Sequence, residues 1–201
     1  MVGDHTHEGA EMRKTKVETA ETRRRIVDAA AREFRLNGIQ ATGLNDVMTP
    51  LGLTQGGFYR HFASKDQLVA EACAQGMTEV IDGLATVVRE GQRISGFAAV
   101  VEAYVSEAHR DTPTTGCPLA AMGSELARAD KQTRAAAAQG FDDLVEVLAR
   151  QLAHKPQQEA RSAAVFTLAA MIGAITMSRV VEDSDASTAI LEDVKQHLVA
   201  M

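Results

Sequence analysis

At 201 residues the chain is long enough to bury a substantial core, and its excess of Ala, Leu and Val, with 4% aromatics and only four prolines, points to an all-α protein. A net charge of −6 excludes an all-over basic coat, yet the charge is uneven: residues 13–65 hold ten Lys/Arg against five Asp/Glu, whereas residues 66–201 hold 11 against 19. Such a split suits a DNA-facing head on an acidic body, and it also fits an ordinary solvated charge run.

Residues 1–16 are polar and lack an apolar run, so they read as a disordered tail rather than a signal peptide, with His5 and His7 solvated. The first helix is expected over 17–37, capped by Thr15 or Thr19. Ile26, Ala30 and Phe34 fall on one buried stripe, with Arg23, Arg24, Arg25 and Arg32 largely off it. Gly38 ends it in a left-handed turn. Thr42 is expected to cap a short second helix over 44–51, and Gly52-Leu53 to turn the chain. Thr54 caps a third helix ending near His61. Ser64-Lys65-Asp66-Gln67 reads as a capping box opening a long fourth helix to about Glu90, stopped by Gly91.

The pattern then predicts five further helices, nine in all: 94–109, 117–129, 131–153, 156–182 and 185 to the end, the last capped by Asp185 or Ser184. Pro156 suits a first helical position. The division is therefore a tail (1–16), a three-helix head (17–65) and a helical body (66–201). The uncharged run 162–178 is marginal as a membrane span and reads as a buried helix. Cys73 and Cys117 lie far apart and form no metal-ligand pattern, which fits a reduced cytoplasmic protein holding neither metal nor cofactor.

Two helices joined by a tight glycine-containing turn are a helix-turn-helix signature, and the second helix of such a pair enters a major groove N-terminus first. That geometry directs Thr54, Gln55, Gly56 and Gly57 toward base edges. Gln55 can address adenine through a paired donor and acceptor. Each glycine costs roughly 1 kcal/mol inside a helix, so a need for close backbone approach explains the pair better than stability does. Tyr59 and His61 are placed to donate to phosphates, and Lys65 adds charge at a helix N-terminus. Phe58 and Phe62 face inward.

At these residues the chain resembles the TetR family of transcriptional regulators. The resemblance runs from Ile26-Val27-Asp28-Ala29-Ala30, Phe34 and Gly38 through Thr42, Gly52-Leu53-Thr54 and Gly56. It continues through Phe58-Tyr59-Arg60-His61-Phe62 to Ser64-Lys65-Asp66 and Leu68, about 45 residues in all. It implies that Thr42, Tyr59, His61 and Lys65 meet phosphates and that Gln55 reads bases. It further implies an all-helical homodimer whose body binds a small effector. Met48 and Leu51 stand where the family prefers small residues. Pro50 disfavours a helical Thr49, so the second helix should end early or bend.

In the body, the helix after Pro156 alternates small residues with large apolar ones. Ala163, Ala170, Ala174, Met177 and Ser178, with Ile190 and Val194 from the last helix, are expected at a four-helix interface with a second copy. The effector cavity is expected among Phe97, Val101, Tyr104, Met122, Leu126, Phe141, Leu144 and Leu148, for a small apolar or electrophilic molecule. Cys117 sits at a helix N-cap, where a thiolate is favoured, and so is a candidate sensor whose modification loosens DNA binding. Cys73 reads as packing. The function expected is a ligand-responsive repressor on a palindromic operator. Its rivals are an architectural helix-turn-helix protein without an effector, and an enzyme. The enzyme finds no support in spacing: His109 and His154 are isolated.

Overall fold

Helix α1 (Thr6–Asn37) buries Ile26, Ala30 and Phe34, all at most 1% exposed, on the stripe their spacing dictates. The computed structural model describes residues 6–90 and 95–201, with side chains from Lys16 onward. Among these the chain is entirely helical, with ten α-helices and two short 3-10 turns. α1 reaches back across residues 6–16, where a tail was expected. Ala10-Glu11-Met12-Arg13-Lys14 are strong helix formers that extend an existing helix at little cost. Residues 1–5, and with them His5, lie outside the described residues.

α1 stops where Gly38 turns left-handed (φ +85°) and its N–H returns to the Phe34 carbonyl at 2.9 Å. α2 (Leu44–Met48) ends early at the proline as expected, and a 3-10 turn (Thr49–Leu51) carries Pro50. Thr42 does not cap α2. Gly43 holds that position, its N–H donated to the Asp46 carboxylate at 2.7 Å. Gly52, left-handed at φ 71°, makes the turn into α3 (Gln55–Phe58). Thr54 caps α3 through its hydroxyl, which accepts from the Gly57 N–H at 3.2 Å. The chain then winds through turn bonds to His61 and Phe62.

α4 (Lys65–Glu90) is the central beam of the molecule. Its capping box is shifted: Ser64 accepts from the Gln67 N–H, but Gln67 accepts from Ala63 rather than from Ser64. The stop expected at Gly91 lies outside the described residues. The helix predicted over 94–109 divides into α5 (Gly96–Tyr104), capped by Ser95, and α6 (Glu107–Asp111). The break falls at Val105, where ψ swings to 71°, because the Ser106 hydroxyl takes the His109 N–H and starts a new helix. A 3-10 turn (Pro113–Thr115) leads to α7 (Pro118–Leu126). α8 (Lys131–Arg150), α9 (Gln157–Val180) and α10 (Ser184–Val199) complete the body. Asp183, not Asp185 or Ser184, caps α10, and Pro156 is the cap of α9 rather than its first residue.

α4 packs against α1 on the head side and against α5 and α8 in the body, and α9 lies between α8 and α10. The head core gathers Phe34, Phe58 and Phe62, with the Phe58 and Phe62 rings stacked at 5.3 Å. One continuous apolar core runs from this cluster through Cys73 and Met77 to Leu144, Leu148, Leu168 and Met171. The head is thus seated on the body.

Candidate nucleic-acid interface

The turn at Gly52 projects the start of α3 outward. Thr54, Gln55 and Gly56 are exposed and Gly57 is half-buried, while Phe58 beneath them is wholly buried. Neither glycine is demanded by the fold. Both keep negative φ, and a Cβ on Gly56 or Gly57 would meet nothing nearer than the Thr54 hydroxyl, at 4.0 and 3.6 Å. Tyr59 stands beside them at 63% exposed. Arg60 is also exposed and lines one groove with Thr54, Gly56, Gly57 and His61. Sequence reasoning gave Arg60 no role, although its place between Tyr59 and His61 was signal enough.

Two of the residues matched to phosphate contacts spend their side chains on bonds inside the protein, and a third, His61, is half-buried. Thr42 is 1% exposed, and its hydroxyl donates to the Gly38 carbonyl at 2.7 Å. Its side chain therefore fixes the loop after α1 and does not face outward. Lys65 donates to the carbonyls of Ile39 and Thr42, both at 2.6 Å, which leaves one N–H for an outside partner. His61 is half-buried, its Nδ1 has no partner among the described residues, and its carbonyl takes the Arg23 Nε at 3.3 Å.

Contacts that no sequence pattern announced tie this surface to the body. Arg23 joins Glu71 of α4 at 2.6 Å and lies over the Phe62 ring at 4.5 Å. Arg35 is deeply buried. It donates to Ala31 in its own helix at 2.8 Å, to the Gly116 carbonyl at 3.2 Å and to Glu79 at 2.9 Å. From α7, the Glu125 carboxylate accepts the N–H groups of Ile39 at 3.0 Å and Gln40 at 2.8 Å. A side chain at Gly38 would collide with that carboxylate, since a Cβ there lies 2.8 Å from Glu125 Oε2.

A cavity of about 400 Å³ opens between α4, α5, α6 and the 3-10 turn before α7. Of the residues expected to line an effector site, it takes in Tyr104 alone. Phe97, Val101, Met122, Leu126, Leu144 and Leu148 are each at most 9% exposed, and Phe141 is half-buried against the same core. They are core because α5, α7 and α8 all pack on α4. The actual walls come from the inner face of α4 and from the α5–α6 break, which helical periodicity does not reveal.

Behind this cavity the chain is tightly wired. His109 gives its Nδ1–H to the Tyr104 carbonyl at 2.7 Å, and its Nε2 accepts the Cys117 N–H at 2.9 Å. Burial, with Arg179 nearby, lowers its pKa despite the help of the Tyr104 carbonyl, so the ring is held neutral. The Tyr104 ring stands edge-on to it at 4.5 Å. Cys117 does occupy the N-cap of α7 as expected, but it is wholly buried. Burial pushes its thiol up more than the Tyr104 hydroxyl and the N–H groups of Ala120 and Leu119 pull it down. That reverses the activation expected from its position. Burial raises Cys73 as well, to about 12.

α9 presents one apolar face to solvent: Phe166 (60% exposed), Met177 (49%) and Val180 (66%), with Ala169 and Gly173 between them. By length and composition α9 could also cross a membrane, but its other face packs on α8 and α10. Of the residues expected at an interface between copies, Met177 is on the open face, whereas Ala163, Ala170, Ile190 and Val194 are half-buried. Ala174 and Ser178 are buried within their own chain. The Ser178 hydroxyl bonds the Ile175 carbonyl, and its carbonyl takes Ser187. The register of α9 thus turns Ala174 and Ser178 inward and leaves Phe166, Met177 and Val180 outward, with Ala169 and Gly173 among them.

Two family models match the chain: bacterial regulatory proteins of the tetR family over residues 26–72, and the C-terminal domain of LmrA/YxaF-like transcriptional regulators over residues 93–197. The HTH-type transcriptional regulator AcrR of Shigella flexneri is 42% identical over 59 residues, 29% of this chain and only 27% of AcrR. The HTH-type transcriptional regulator LmrA of Bacillus subtilis (strain 168) is 26% identical over 171 residues, covering 82% of this chain and 89% of LmrA. The crystal structure of a TetR transcriptional regulator from Chloroflexus aurantiacus superimposes with a TM-score of 0.76 at 26% identity, covering 91% of this chain and 94% of that one. The longer likeness to LmrA takes in most of the body.

Proposed function

Because the chain belongs to the TetR family of bacterial regulatory proteins and is a DNA-binding transcriptional regulator, we propose that it is a cytoplasmic, homodimeric repressor. It binds an inverted-repeat operator and leaves it when a small molecule occupies the body. One observation carries the DNA reading. Two adjacent glycines stand at the exposed start of α3, where neither backbone angle nor neighbouring atoms require them. A helix that gives up roughly 1 kcal/mol per glycine relative to Ala, with no gain inside the protein, gains by letting another surface approach its backbone. Gln55 then reads bases, Tyr59 and Arg60 grip the strand, and Lys65 offers its one remaining N–H.

The open apolar face of α9 supports pairing with a second copy, since two heads are needed to read a two-fold site. The cavity beside α5 and α6 supports an effector over an architectural protein without one. Release requires that the effector bind a splayed arrangement of heads better than the DNA-competent one. Wholly buried Cys117 gives a modification route no comparable support.

The test is fluorescence anisotropy with labelled duplex from the DNA flanking the gene, titrated at several salt concentrations. If the dimer neutralises six to eight phosphates, log affinity falls against log salt with a slope of about −5 to −7. Gln55→Ala should flatten the preference among sequences, whereas Arg60→Ala should weaken all duplexes alike. A salt-independent signal, or equal binding to no duplex at all, ends the reading.

A further inference from the structure

The body is acidic, with 11 Lys/Arg against 19 Asp/Glu over residues 66–201, and most of its cations are already bound. Arg110, Arg150, Arg161 and Lys195 pair with carboxylates, Arg179 gives its N–H groups to the carbonyls of His109 and Arg110, and Arg89 donates to the Thr86 hydroxyl. Among the described residues of the body, Arg128, Lys131, Arg134 and Lys155 are the cations whose side chains have no partner. Lys155 lies beyond the far end of α8, a helix of 20 residues that spans about 30 Å. The other three are exposed and share one corner, where α7 turns into α8.

That corner is fastened to the head at two points. Glu125 holds the N–H groups of Ile39 and Gln40, on the loop whose carbonyls at Ile39 and Thr42 take Lys65. The Thr133 hydroxyl lies 3.5 Å from the Asp66 carbonyl, and farther along Gly140 packs on Met77, so α8 runs beside α4 in the same direction. Both helices therefore begin at the end of the molecule that carries Lys65. We propose that Arg128, Lys131 and Arg134 form a second DNA-contacting surface, on the body, that holds the phosphate backbone adjoining the bases under α3. The inference rests on the reading of the chain as a DNA-binding regulator and extends its contact surface beyond the head. The neighbouring acids leave these charges largely uncancelled. Glu125 is engaged by the loop and Asp130 by the N–H groups of Gln132 and Thr133, which leaves Asp66 as the free carboxylate at this corner. An unpaired cation that turns to a phosphate breaks no bond inside the protein and releases a counterion from the DNA. The same three charges offset the repulsion between DNA and a body that is otherwise acidic. Tied to the loop and to α4, the corner keeps a fixed position relative to the reading helix, and its contacts add grip without reading sequence.

The test compares two variants of the full chain that each lose three positive charges. One combines Arg128→Gln, Lys131→Gln and Arg134→Gln at the corner; the other combines Arg150→Gln, Lys155→Gln and Arg161→Gln at the far end of α8. Glu125, Asp130 and Thr133 are untouched, and both variants should melt close to wild type, since the changes fall on the surface. The probes are labelled duplex from the DNA flanking the gene and an unrelated duplex of equal length, followed by fluorescence anisotropy over a range of salt. If one of the three side chains on each protomer meets a phosphate, the corner variant loses two contacts per dimer. The slope of log affinity against log salt then becomes shallower by about 2, and affinity at low salt falls by about tenfold or more on both duplexes alike. The far-end variant should keep the wild-type slope. The proposal is overturned if the corner variant matches wild type, or if the far-end variant loses as much, which would make the effect one of net charge. A loss confined to the flanking duplex would place the effect in base reading by the head and would overturn it too. If the triple corner variant does not fold, Lys131→Glu decides in its place by the same slope. Wild type that binds neither duplex sinks the DNA reading and this surface together, whereas wild-type binding with an unaltered corner variant sinks this surface alone.

Discussion

Replacing Arg35 by methionine measures how firmly the head is seated. The methionine stem fills much of the space of the arginine stem, so the change removes chiefly the charge and its three bonded partners. The Ala31 carbonyl keeps its helical bond, but Gly116 loses a buried donor and Glu79 loses its counter-ion. Removing one member of a fully buried pair costs about 3–5 kcal/mol. Glu79 is 40% exposed and can turn to water, so the expected loss is smaller, about 2–3 kcal/mol. For a protein of this size that lowers the melting temperature by about 5–10 °C. The comparison is Arg161→Ala, which breaks a pair whose side chains are 50% and 55% exposed and should cost under about 0.5 kcal/mol. Circular dichroism melts at equal protein concentration compare the two. A shift for Arg35→Met no larger than that for Arg161→Ala would refute the claim that this contact holds α1 to the body.

Two further outcomes follow from named contacts. His109 is held neutral because burial lowers its pKa from the ordinary 6.5, so the folded state takes up its proton less readily than the unfolded chain. Its contribution is present above pH 6.5 and lost as pH falls below that value, where protonation also takes Nε2 from the Cys117 N–H. His109→Gln should therefore be less stable than wild type at pH 7.5, with the gap closing by pH 5.5 in thermal melts; a constant gap contradicts the assignment. Phe166→Asp places a charge on the open face of α9 and should weaken self-association by at least about 2 kcal/mol, roughly thirtyfold. Sedimentation velocity should show a monomer, and an unchanged dimer would move the interface elsewhere.

The head was nearly all legible from sequence. Ile26, Ala30 and Phe34 keep strict helical spacing, Gly38 and Thr54 are strong terminators, and Pro50 limits α2 to its first turns. The body helices were legible for the same reason, apart from the break at Val105, which hangs on one serine hydroxyl. The cavity beside α5 and α6 was not legible. Apolar spacing marks what is buried but cannot distinguish a filled interior from a hollow one, so Leu144 and Leu148 read the same as a true cavity wall. Long-range polar contacts were hidden too. Arg35 and Glu79 sit 44 positions apart, and nothing local marks Arg35 off from the exposed Arg32. Thr42 shows the opposite failure: a position matched to a phosphate contact carries a hydroxyl already committed to Gly38.

The carboxylate of Glu125 holds the loop after the first helix from 86 positions away by taking the Ile39 N–H. The reading head is therefore finished by a part supplied from the other domain. Engineers who build hybrid regulators by joining the head of one relative to the body of another would sever this contact at the seam. A transplant of residues 17–65 will keep its stance only on a recipient that offers an acidic side chain at the matching place. Lineages that exchanged such modules would have to carry that position along with the head.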